Sequence, residues 1–151
     1  MKPVPPPHGP EAHAPAVQYA ALPWRRGEAG IEIMLVSSRE TRRWVIPKGW
    51  PMQRREPPAA AAREALEEGG IEGRVETTAF GSYPYQKRLK RSVEIACVVE
   101  VFPLEVTRER RKWPEMEQRT RQWFTVGAAA ECVDEPELKA LILAFGRMKA
   151  N

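Results

Sequence analysis

The chain has 151 residues, 42% of them hydrophobic, which is enough for one domain with a sizeable core. Its formal net charge is +4, which favours an anionic partner without itself indicating nucleic acid. Both histidines, His8 and His13, lie near the start of the chain, and the two cysteines form no C-x-x-C motif. These facts argue against a histidine-based metal site or a serine–histidine nucleophile in the core. They favour reduced, structural cysteines in a cytoplasmic protein.

The start of the chain is rich in proline and contains no apolar stretch. Residues 1–15 hold six prolines, which predicts a flexible N-terminal arm, either a docking peptide or a plain disordered terminus. The first residues lack the apolar stretch of a secretion signal. No apolar run approaches the roughly 18 residues of a membrane span, so no membrane partner is expected. Residues 16–151 are expected to form a single domain.

The first elements predicted after the arm form a hairpin. Residues 17–24 favour a strand, and Pro23 indicates that this strand lies at an edge or ends there. Residues 25–30 favour a turn, and 31–36 favour a buried strand that completes the hairpin. After a polar loop, residues 44–46 predict a short strand that is stopped by a proline.

A helix is predicted after a loop over residues 48–55. Pro57 and Pro58 favour its first turn, where a missing N–H costs nothing, four alanines give it high helix propensity, and Gly69-Gly70 end it. On this helix Glu64, Glu67 and Glu68 project from one arc about 100° wide. Carboxylates at that spacing repel, so they indicate either a solvated surface or a site for a divalent cation that prefers oxygen ligands.

The second half of the domain predicts more strands and a final helix. The predicted elements are a turn at 72–73, a strand at 71–80, a turn or bulge at 81–85, a basic loop at 86–91, a long strand at 92–102 closed by Pro103, a polar connection at 108–115, a strand at 121–126 and a short helix at 127–133. The last helix starts near Pro136, with an apolar face at Leu138, Leu141, Ile142 and Phe145. This order predicts a mixed α/β sheet with a helix on each face.

Residues 49–71 follow the pattern G-x13-R-E-A-x-E-E-x-G-I, which closely resembles the signature of Nudix hydrolases. The matching positions are Gly49, Arg63, Glu64, Glu67, Glu68, Gly70 and Ile71. The chain departs from the family at Arg55, where the family has a glutamate, and at the small Ala65, where it has a bulky apolar residue. The bland alternative is an ordinary Ala/Glu-rich surface helix with one Arg–Glu ion pair.

The resemblance implies a fold, a reaction and a cofactor. It implies an α/β/α sandwich, with a mixed curved sheet between the signature helix and the C-terminal helix, that hydrolyses a diphosphate linkage with Mg²⁺ or Mn²⁺. By matching position, Glu64 and Glu68 are the main metal ligands, together with the backbone carbonyl of Gly49. Glu67 is a ligand or the base, and Arg63 holds its carboxylate in an ion pair.

A further resemblance concerns the substrate. Residues 43–52, 87–91, 113–115 and 121–124 look like the diphosphoinositol polyphosphate phosphohydrolase branch, whose members often also cleave diadenosine polyphosphates. The expected partner is thus an anionic polyphosphate, met by Lys48 and by cations that ring the pocket, namely Arg42, Arg43, Lys87, Arg88, Lys90 and Arg91. Solvated, charged loops are the alternative for these cations. Trp50 either stacks on a base or packs beneath the loop.

Three points stay open at the level of sequence. A distal acid is expected to complete the site; Glu115 is preferred over Glu94, Glu100 and Glu117, and a plain surface acid is the alternative. Other functions are a housecleaning hydrolase for nucleotides, removal of RNA 5′ pyrophosphate, or a Nudix-fold module that binds a ligand without catalysis. Because the basic residues are spread over loops, sequence-specific nucleic-acid binding is not expected. A monomer or weak homodimer is expected.

Overall fold

The computed structural model describes residues 15–90 and 93–150, without the side chain of Lys90. The predicted arm at 1–15 lies outside the described residues except for Pro15, and so does Arg91. The elements are β1 (Ala16–Gly27), β2 (Gly30–Ser37), β3 (Trp44–Val45), β4 (Lys48–Gly49), α1 (Pro57–Gly69), β5 (Ile71–Val75), β6 (Gly81–Lys90), β7 (Val93–Glu109), β8 (Arg121–Thr125), α2 (Val126–Cys132) and α3 (Pro136–Ala150).

The strands form one mixed sheet. Its main path runs β3-β2-β1-β7-β5, while β4 pairs with β1, β6 with β7 and β8 with β2. The β1–β7 pair is parallel, with Ala16 opposite Cys97 and Trp24 opposite Glu105. The other pairs are antiparallel. The predicted mixed sheet is confirmed, and its two longest strands lie side by side at its centre.

Alternating residues of the central strands enter two separate cores, one on each face of the sheet. On one face, Leu22 of β1 packs in a cluster with Leu138, Ile142 and Phe145 of α3. On the other face, Ala21 packs with Ala61 and Ala65 of α1. The small alanines let α1 lie close to the sheet. This arrangement confirms the predicted α/β/α sandwich between α1 and α3.

Two prolines were predicted to mark the ends of strands, and both predictions are wrong. β1 is central and continues through Pro23, and β7 continues through Pro103. The Ala21 N–H donates to Pro47 O (3.0 Å). Every second N–H along a strand points to the same side, so an N–H at residue 23 would point to the side of β1 on which Pro47 lies. There the partner of β1 changes from β4 to β2. Pro103 lies where the partner of β7 changes from β6 to β5, so neither proline removes a ladder hydrogen bond.

The region between α1 and β7 also differs from the prediction. The turn at 81–85 and the basic loop at 86–91 are wrong up to residue 90, because residues 81–90 form β6 and pair along β7 from Gly81–Val101 to Lys90–Val93. The predicted strand at 71–80 ends at Val75, and the predicted turn at Glu72-Gly73 is a register shift within β5. The charged residues of β6 led to the prediction of a loop. They are compatible with a strand because only some of its side chains face the core.

The loop predicted at 48–55 and the turn predicted at 25–30 are wrong in part, because Lys48–Gly49 form β4 beside β1 and residues 25–27 still belong to β1. The other elements agree with the prediction. The β1–β2 hairpin turns over residues 28–29 only, α1 starts at Pro57, and α2 and α3 occur as expected. None of the helices in the described part of the chain is long and apolar enough to cross a membrane.

Candidate active site

Helix α1 buries the three carboxylates that the sequence places on one arc. Glu64 is 0% exposed, Glu67 6% and Glu68 4%, so the solvated-surface interpretation of this arc is wrong. The helix ends at Gly70, whose φ of 65° is left-handed. A Cβ at Gly70 would meet the Trp113 ring at 2.6 Å, and Trp113 Nε1 donates to Glu68 O (3.1 Å). A fixed helix end therefore holds the backbone of the acidic arc in place.

Gly49 lies directly against the first of these carboxylates. It belongs to β4, where it pairs with Tyr19 of β1. A Cβ built at Gly49 would overlap the carboxylate of Glu64. The absence of a side chain at position 49 thus lets Glu64 reach the backbone of β4, so a carboxylate and a backbone segment that carries a carbonyl lie side by side.

The second carboxylate, Glu67, is held by its neighbours. Arg63 Nε donates to Glu67 Oε2 at 2.8 Å, the i,i+4 ion pair that the sequence predicted. Glu115 N donates to Glu67 O at 3.0 Å, so the loop that carries Trp113 and Glu115 is tied to α1. The predicted distal acid Glu115 is therefore close to the helix, and it is 7% exposed.

Arg119 joins the third carboxylate to this loop. Its Nε donates to Glu115 Oε1 (2.7 Å) and its Nη1 to Ser37 O (3.1 Å). Its Nη2 lies 3.8 Å from Glu68 Oε2. The guanidinium is nearly buried, with 10% of the side chain exposed. One arginine thus links β2, the loop at 113–119 and the acidic face of α1, and it places positive charge beside Glu68.

Glu64 and Glu68 line a cleft that has two adjoining compartments. The inner compartment, about 310 Å³, is lined by Gln18, Arg39, Glu40, Lys48, Gly49, Trp50, Glu64, Glu68, Lys87, Arg88, Leu89 and Arg119. The outer compartment, about 270 Å³, shares six of these residues and adds Ser38, Thr41, Arg43, Tyr85, Gln86 and Glu94. Acidic groups of α1 thus face a wall of lysines and arginines across one cleft.

Lys48 connects the two compartments. Its Nζ lies 4.2 Å from the centre of the Tyr85 ring, a favourable cation–π distance. Burial lowers the pKa of Lys48 to about 8, and Arg43 and Arg119 add to the lowering, while Glu68 and Glu135 oppose it. Burial and the nearby Lys48 also lower the pKa of Lys87. These two ammonium groups are less hydrated than surface lysines and repel each other, which suits them to an incoming anion.

Residues 16–144 match the NUDIX domain. The chain belongs to the NUDIX family. It is 34% identical over 119 residues to Nudix hydrolase 16, mitochondrial, of Arabidopsis thaliana, a match that covers 76% of this chain and 66% of that protein. It is 35% identical over 104 residues to diphosphoinositol polyphosphate phosphohydrolase 2 of Rattus norvegicus, which covers 67% of this chain and 54% of that protein. The chain thus spans between about half and two thirds of the length of such relatives.

Solved structures share the fold of this NUDIX domain. An Ap4A hydrolase of C. elegans superposes with a TM-score of 0.63 at 17% identity, over 89% of this chain and 98% of that one. A NUDIX hydrolase from Nitrosomonas europaea gives 0.69 at 19% identity, over 90% and 91% of the two chains. At such identities the likeness shows the fold.

The cations predicted around the NUDIX cleft separate into three groups. Lys48, Lys87 and Arg88 line both compartments. Arg43 lines the outer one, but its Nη1 is already paired with Glu135 (3.0 Å) and Asp134 (3.3 Å). Arg42 is exposed and lines neither compartment. The prediction for Arg91 falls outside the described residues, as does the side chain of Lys90.

The structure also places Trp50, Trp44 and Arg55, which the sequence puts in or near the signature. Trp50 lines the inner compartment but is 6% exposed, so it packs beneath the loop and offers no free face to a base. Trp44 is half-buried and packs edge-on against Phe124, with the ring centres 5.1 Å apart. Arg55, which replaces the glutamate of the NUDIX signature, is exposed and lines neither compartment.

Sequence reasoning missed several residues of the cleft, among them Gln18, Arg39 and Arg119. Gln18 is a polar residue within the otherwise apolar first part of β1, residues 16–22, and this was the one signal that pointed to it. Arg39 and Arg119 lie in charged segments with no distinguishing pattern. They reach the cleft through contacts with distant parts of the chain, such as Arg39 Nη1 to Gln118 Oε1 (3.1 Å).

The residues of the cleft suit a divalent cation that is completed by substrate. Within residues 15–90 and 93–150, no group of three or more His, Cys, Asp or Glu side chains is gathered to hold a metal on its own. Glu67 turns toward Arg63, while Glu64 and Glu68 line the inner compartment with Gly49. Mg²⁺ commonly uses one or two carboxylates plus water and substrate phosphates, so this donor set fits it.

Proposed function

We propose that the protein is a divalent-cation-dependent hydrolase that cleaves a phosphoanhydride linkage in a substrate with several phosphates. A diphosphoinositol polyphosphate or a diadenosine polyphosphate is such a substrate. The observation that carries the proposal is the cleft in which Glu64 and Glu68 face Lys48, Lys87 and Arg119. Carboxylates supply oxygen ligands for Mg²⁺ or Mn²⁺, and the cations bind the phosphate chain.

The names of relatives support this choice of substrate class. The rat relative is named for diphosphoinositol polyphosphates, and the C. elegans structure is an Ap4A hydrolase. Both names describe molecules that carry several phosphates and at least one phosphoanhydride linkage, which suits the basic lining of the cleft. Because Trp50 is buried, stacking on that ring does not contribute to substrate choice.

In the proposed reaction each residue of the cleft has a distinct part. Glu64, Glu68 and the Gly49 carbonyl would hold the cation, which when bound would supply Lewis-acid polarisation of phosphoryl oxygens and a lowered pKa of the attacking water. Lys48 and Lys87 orient the phosphates through charge-assisted hydrogen bonds. Arg63 Nε holds the Glu67 carboxylate at 2.8 Å, which orients Glu67 as a base or an additional ligand. Arg119 positions Glu68 and Glu115.

The test is turnover of a panel of diphosphoinositol polyphosphates, diadenosine polyphosphates and nucleoside triphosphates with Mg²⁺ or Mn²⁺. We expect hydrolysis to require the metal and Glu68→Gln to lower kcat by at least about a hundredfold, since the variant loses a ligand charge. Glu131→Gln, which changes an exposed glutamate of α2, is the matched control and should retain the wild-type rate.

Two results would contradict the proposal. One is that no member of the panel is hydrolysed with either metal. The other is a Glu68→Gln variant as active as the wild type. Tight ligand binding without metal dependence or hydrolysis would instead support a non-catalytic binding module. Rates that depend strongly on the base would support nucleotide housecleaning or RNA 5′-pyrophosphate removal, because inositol substrates have no base.

Location and assembly remain predictions. The cytoplasmic location rests on the reduced cysteines, Cys97 and Cys132, which are both free in the structure. Several relatives are named as mitochondrial or chloroplastic proteins, so fractionation of cells that express the native protein is the direct test. A monomer or weak homodimer is predicted, and sedimentation velocity over a range of concentrations measures it.

A further inference from the structure

Gln18 is a buried polar residue at the inner compartment of the cleft. It lies on β1 opposite Val99 of β7, one residue before Tyr19, which pairs with Gly49. Gln18 is 1% exposed, and it lines the compartment together with Glu64, Glu68 and Gly49. It thus carries a carboxamide into the part of the cleft where the acidic residues gather.

The carboxamide oxygen of Gln18 has no hydrogen-bond partner among the described residues. Ala20 and Leu22, the next residues on the same face of β1, belong to the apolar core. Burying an amide oxygen without a partner costs free energy. An apolar side chain of similar length at position 18 would therefore make the fold more stable. Packing alone does not explain a glutamine there.

The chemistry of the neighbours limits what can satisfy this oxygen. Lys48 and Arg119 are donors that line the same compartment, but neither of them bonds this oxygen. A carboxylate accepts hydrogen bonds and donates none, so Glu64 and Glu68 as metal ligands cannot serve Gln18 Oε1. A phosphate oxygen is likewise an acceptor. A hydrated divalent cation differs, because Mg²⁺ and Mn²⁺ keep several water molecules in protein sites and their waters are strong donors.

We propose that Gln18 is a positioning residue for the cation, with its Oε1 accepting a hydrogen bond from a water molecule that hydrates the ion held by Glu64 and Glu68. This inference rests on the proposed function only in requiring that cation. Substitution of a residue that hydrogen-bonds a metal ligand, without itself binding the metal, commonly weakens metal affinity by about tenfold or more. Gln18 then belongs to the cation site although it lies on a central strand, far in sequence from the acidic helix.

The first experiment measures Mn²⁺ affinity without substrate, by electron paramagnetic resonance of the free ion. We expect Gln18→Met, which keeps the length but loses the acceptor, to weaken Mn²⁺ binding about tenfold. Gln122→Met, at an exposed position of β8, should bind Mn²⁺ as the wild type does. Gln18→Glu restores an acceptor and adds negative charge, so it should bind at least as tightly as the wild type. Equal affinities of Gln18→Met and wild type would overturn the inference.

The second experiment separates this role from a structural one. Without metal, Gln18→Met should melt at or above the wild-type Tm because it removes the unpartnered oxygen, and saturating Mn²⁺ should raise its Tm less. A lower metal-free Tm with an unchanged Mn²⁺ increment would mean that Gln18 is structural and would overturn the inference. A wild type that binds no Mn²⁺ would overturn it too. Absent hydrolysis with intact Mn²⁺ binding and the expected Gln18 effects would contradict the proposed function alone.

Discussion

At position 49 the carboxylate of Glu64 occupies the space that a side chain would need. The backbone there is not left-handed, since the positive φ values of glycines in the described residues are those of Gly30 and Gly70. Glycine is thus required by a close approach rather than by chain conformation. We expect Gly49→Ala to displace Glu64 and to weaken Mn²⁺ binding about tenfold or more, as for disturbed ligand geometry in general.

The matched control for this substitution is Gly127→Ala in α2. A Cβ at Gly127 meets nothing within 4 Å, and alanine is the better helix former by about 0.5–1 kcal/mol. Calorimetric Mn²⁺ titration should therefore show reduced affinity for Gly49→Ala alone, and thermal unfolding should show no loss of stability for Gly127→Ala. Unchanged Mn²⁺ affinity in Gly49→Ala would show that Mn²⁺ binding does not depend on the position of Glu64 against residue 49.

Lys48 gives the cleft a pH dependence near neutrality. Burial places its pKa at about 8, below the usual value for lysine, so the charge is present below that pH and is lost as the pH rises through it. The bound phosphate chain then loses one cationic partner. We expect KM for a polyphosphate substrate to rise above about pH 8, with its midpoint near the pKa of free Lys48.

Arginine at the same position tests this assignment. Lys48→Arg stays charged throughout the accessible range, so its KM should lack the rise near pH 8. Lys48→Met should have a high KM at every pH. The pH profile of kcat/KM for the three proteins, in one buffer series with one metal concentration, measures the effect. A rise that persists in Lys48→Arg would assign the ionisation to another group.

At the scale of elements, the C-terminal end of α1 is clamped by one arginine. Arg121 Nη1 donates to Gly69 O (2.9 Å), and its Nη2 donates to Arg110 O (2.8 Å). Its guanidinium stacks 4.0 Å from the centre of the Trp113 ring. Carbonyls at a helix C-terminus carry partial negative charge and lack partners in the helix, so this side chain satisfies them and joins β8 to the acidic helix.

Lysine cannot reproduce this clamp, because a single ammonium group lacks the planar fork that serves two carbonyls and a ring face. We expect Arg121→Lys to lower the free energy of unfolding by about 1–3 kcal/mol, the cost of disturbed charged hydrogen bonds. Arg74→Lys is the control, since Arg74 pairs with Glu105 at 2.9 Å but its side chain is 73% exposed, and such pairs contribute little. Urea unfolding measures both; equal losses would mean that Arg121 is no clamp.

The elements that the sequence predicted well are those with local signals. Helix α1 has Pro57 and Pro58 at its start, alanines within it and Gly70 at its end, and each acts through neighbours in the chain. Strand β6 was missed because its two lysines and one arginine are typical of a surface loop, and β7 was predicted to end too early, at Pro103. In both cases the deciding fact is which strand lies alongside, and that depends on residues far away in the sequence.

For the whole molecule, the acidic side of the candidate site has a local sequence signal, whereas its basic side depends on contacts between distant segments. The acidic side was predictable because Glu64, Glu67 and Glu68 share one helix and one signature. The basic side was predicted only in part, because Arg39, Lys48, Lys87 and Arg119 come from four segments that the sheet brings together. Arg119 has no local signal for its role, since its burial and its hydrogen bonds to Glu115 and Ser37 define it.

This assembly of charge predicts how salt acts on the proposed hydrolysis. The cations of the cleft are partly exposed, so they attract a polyphosphate over distances comparable to the Debye length of about 10 Å at 0.1 M ionic strength. We expect kcat/KM to fall as the salt concentration rises, while kcat changes little, because salt weakens capture more than the bound complex.

Two single substitutions distinguish the cleft from the net charge. Arg88→Gln and Arg74→Gln each lower the formal charge of +4 by one, but Arg88 lines both compartments and Arg74 is an exposed residue of β5 paired with Glu105. The slope of log kcat/KM against log salt should become shallower in Arg88→Gln and stay at the wild-type value in Arg74→Gln. If both slopes fall equally, capture depends on the overall charge of the protein, and the basic wall of the cleft has no special part in it.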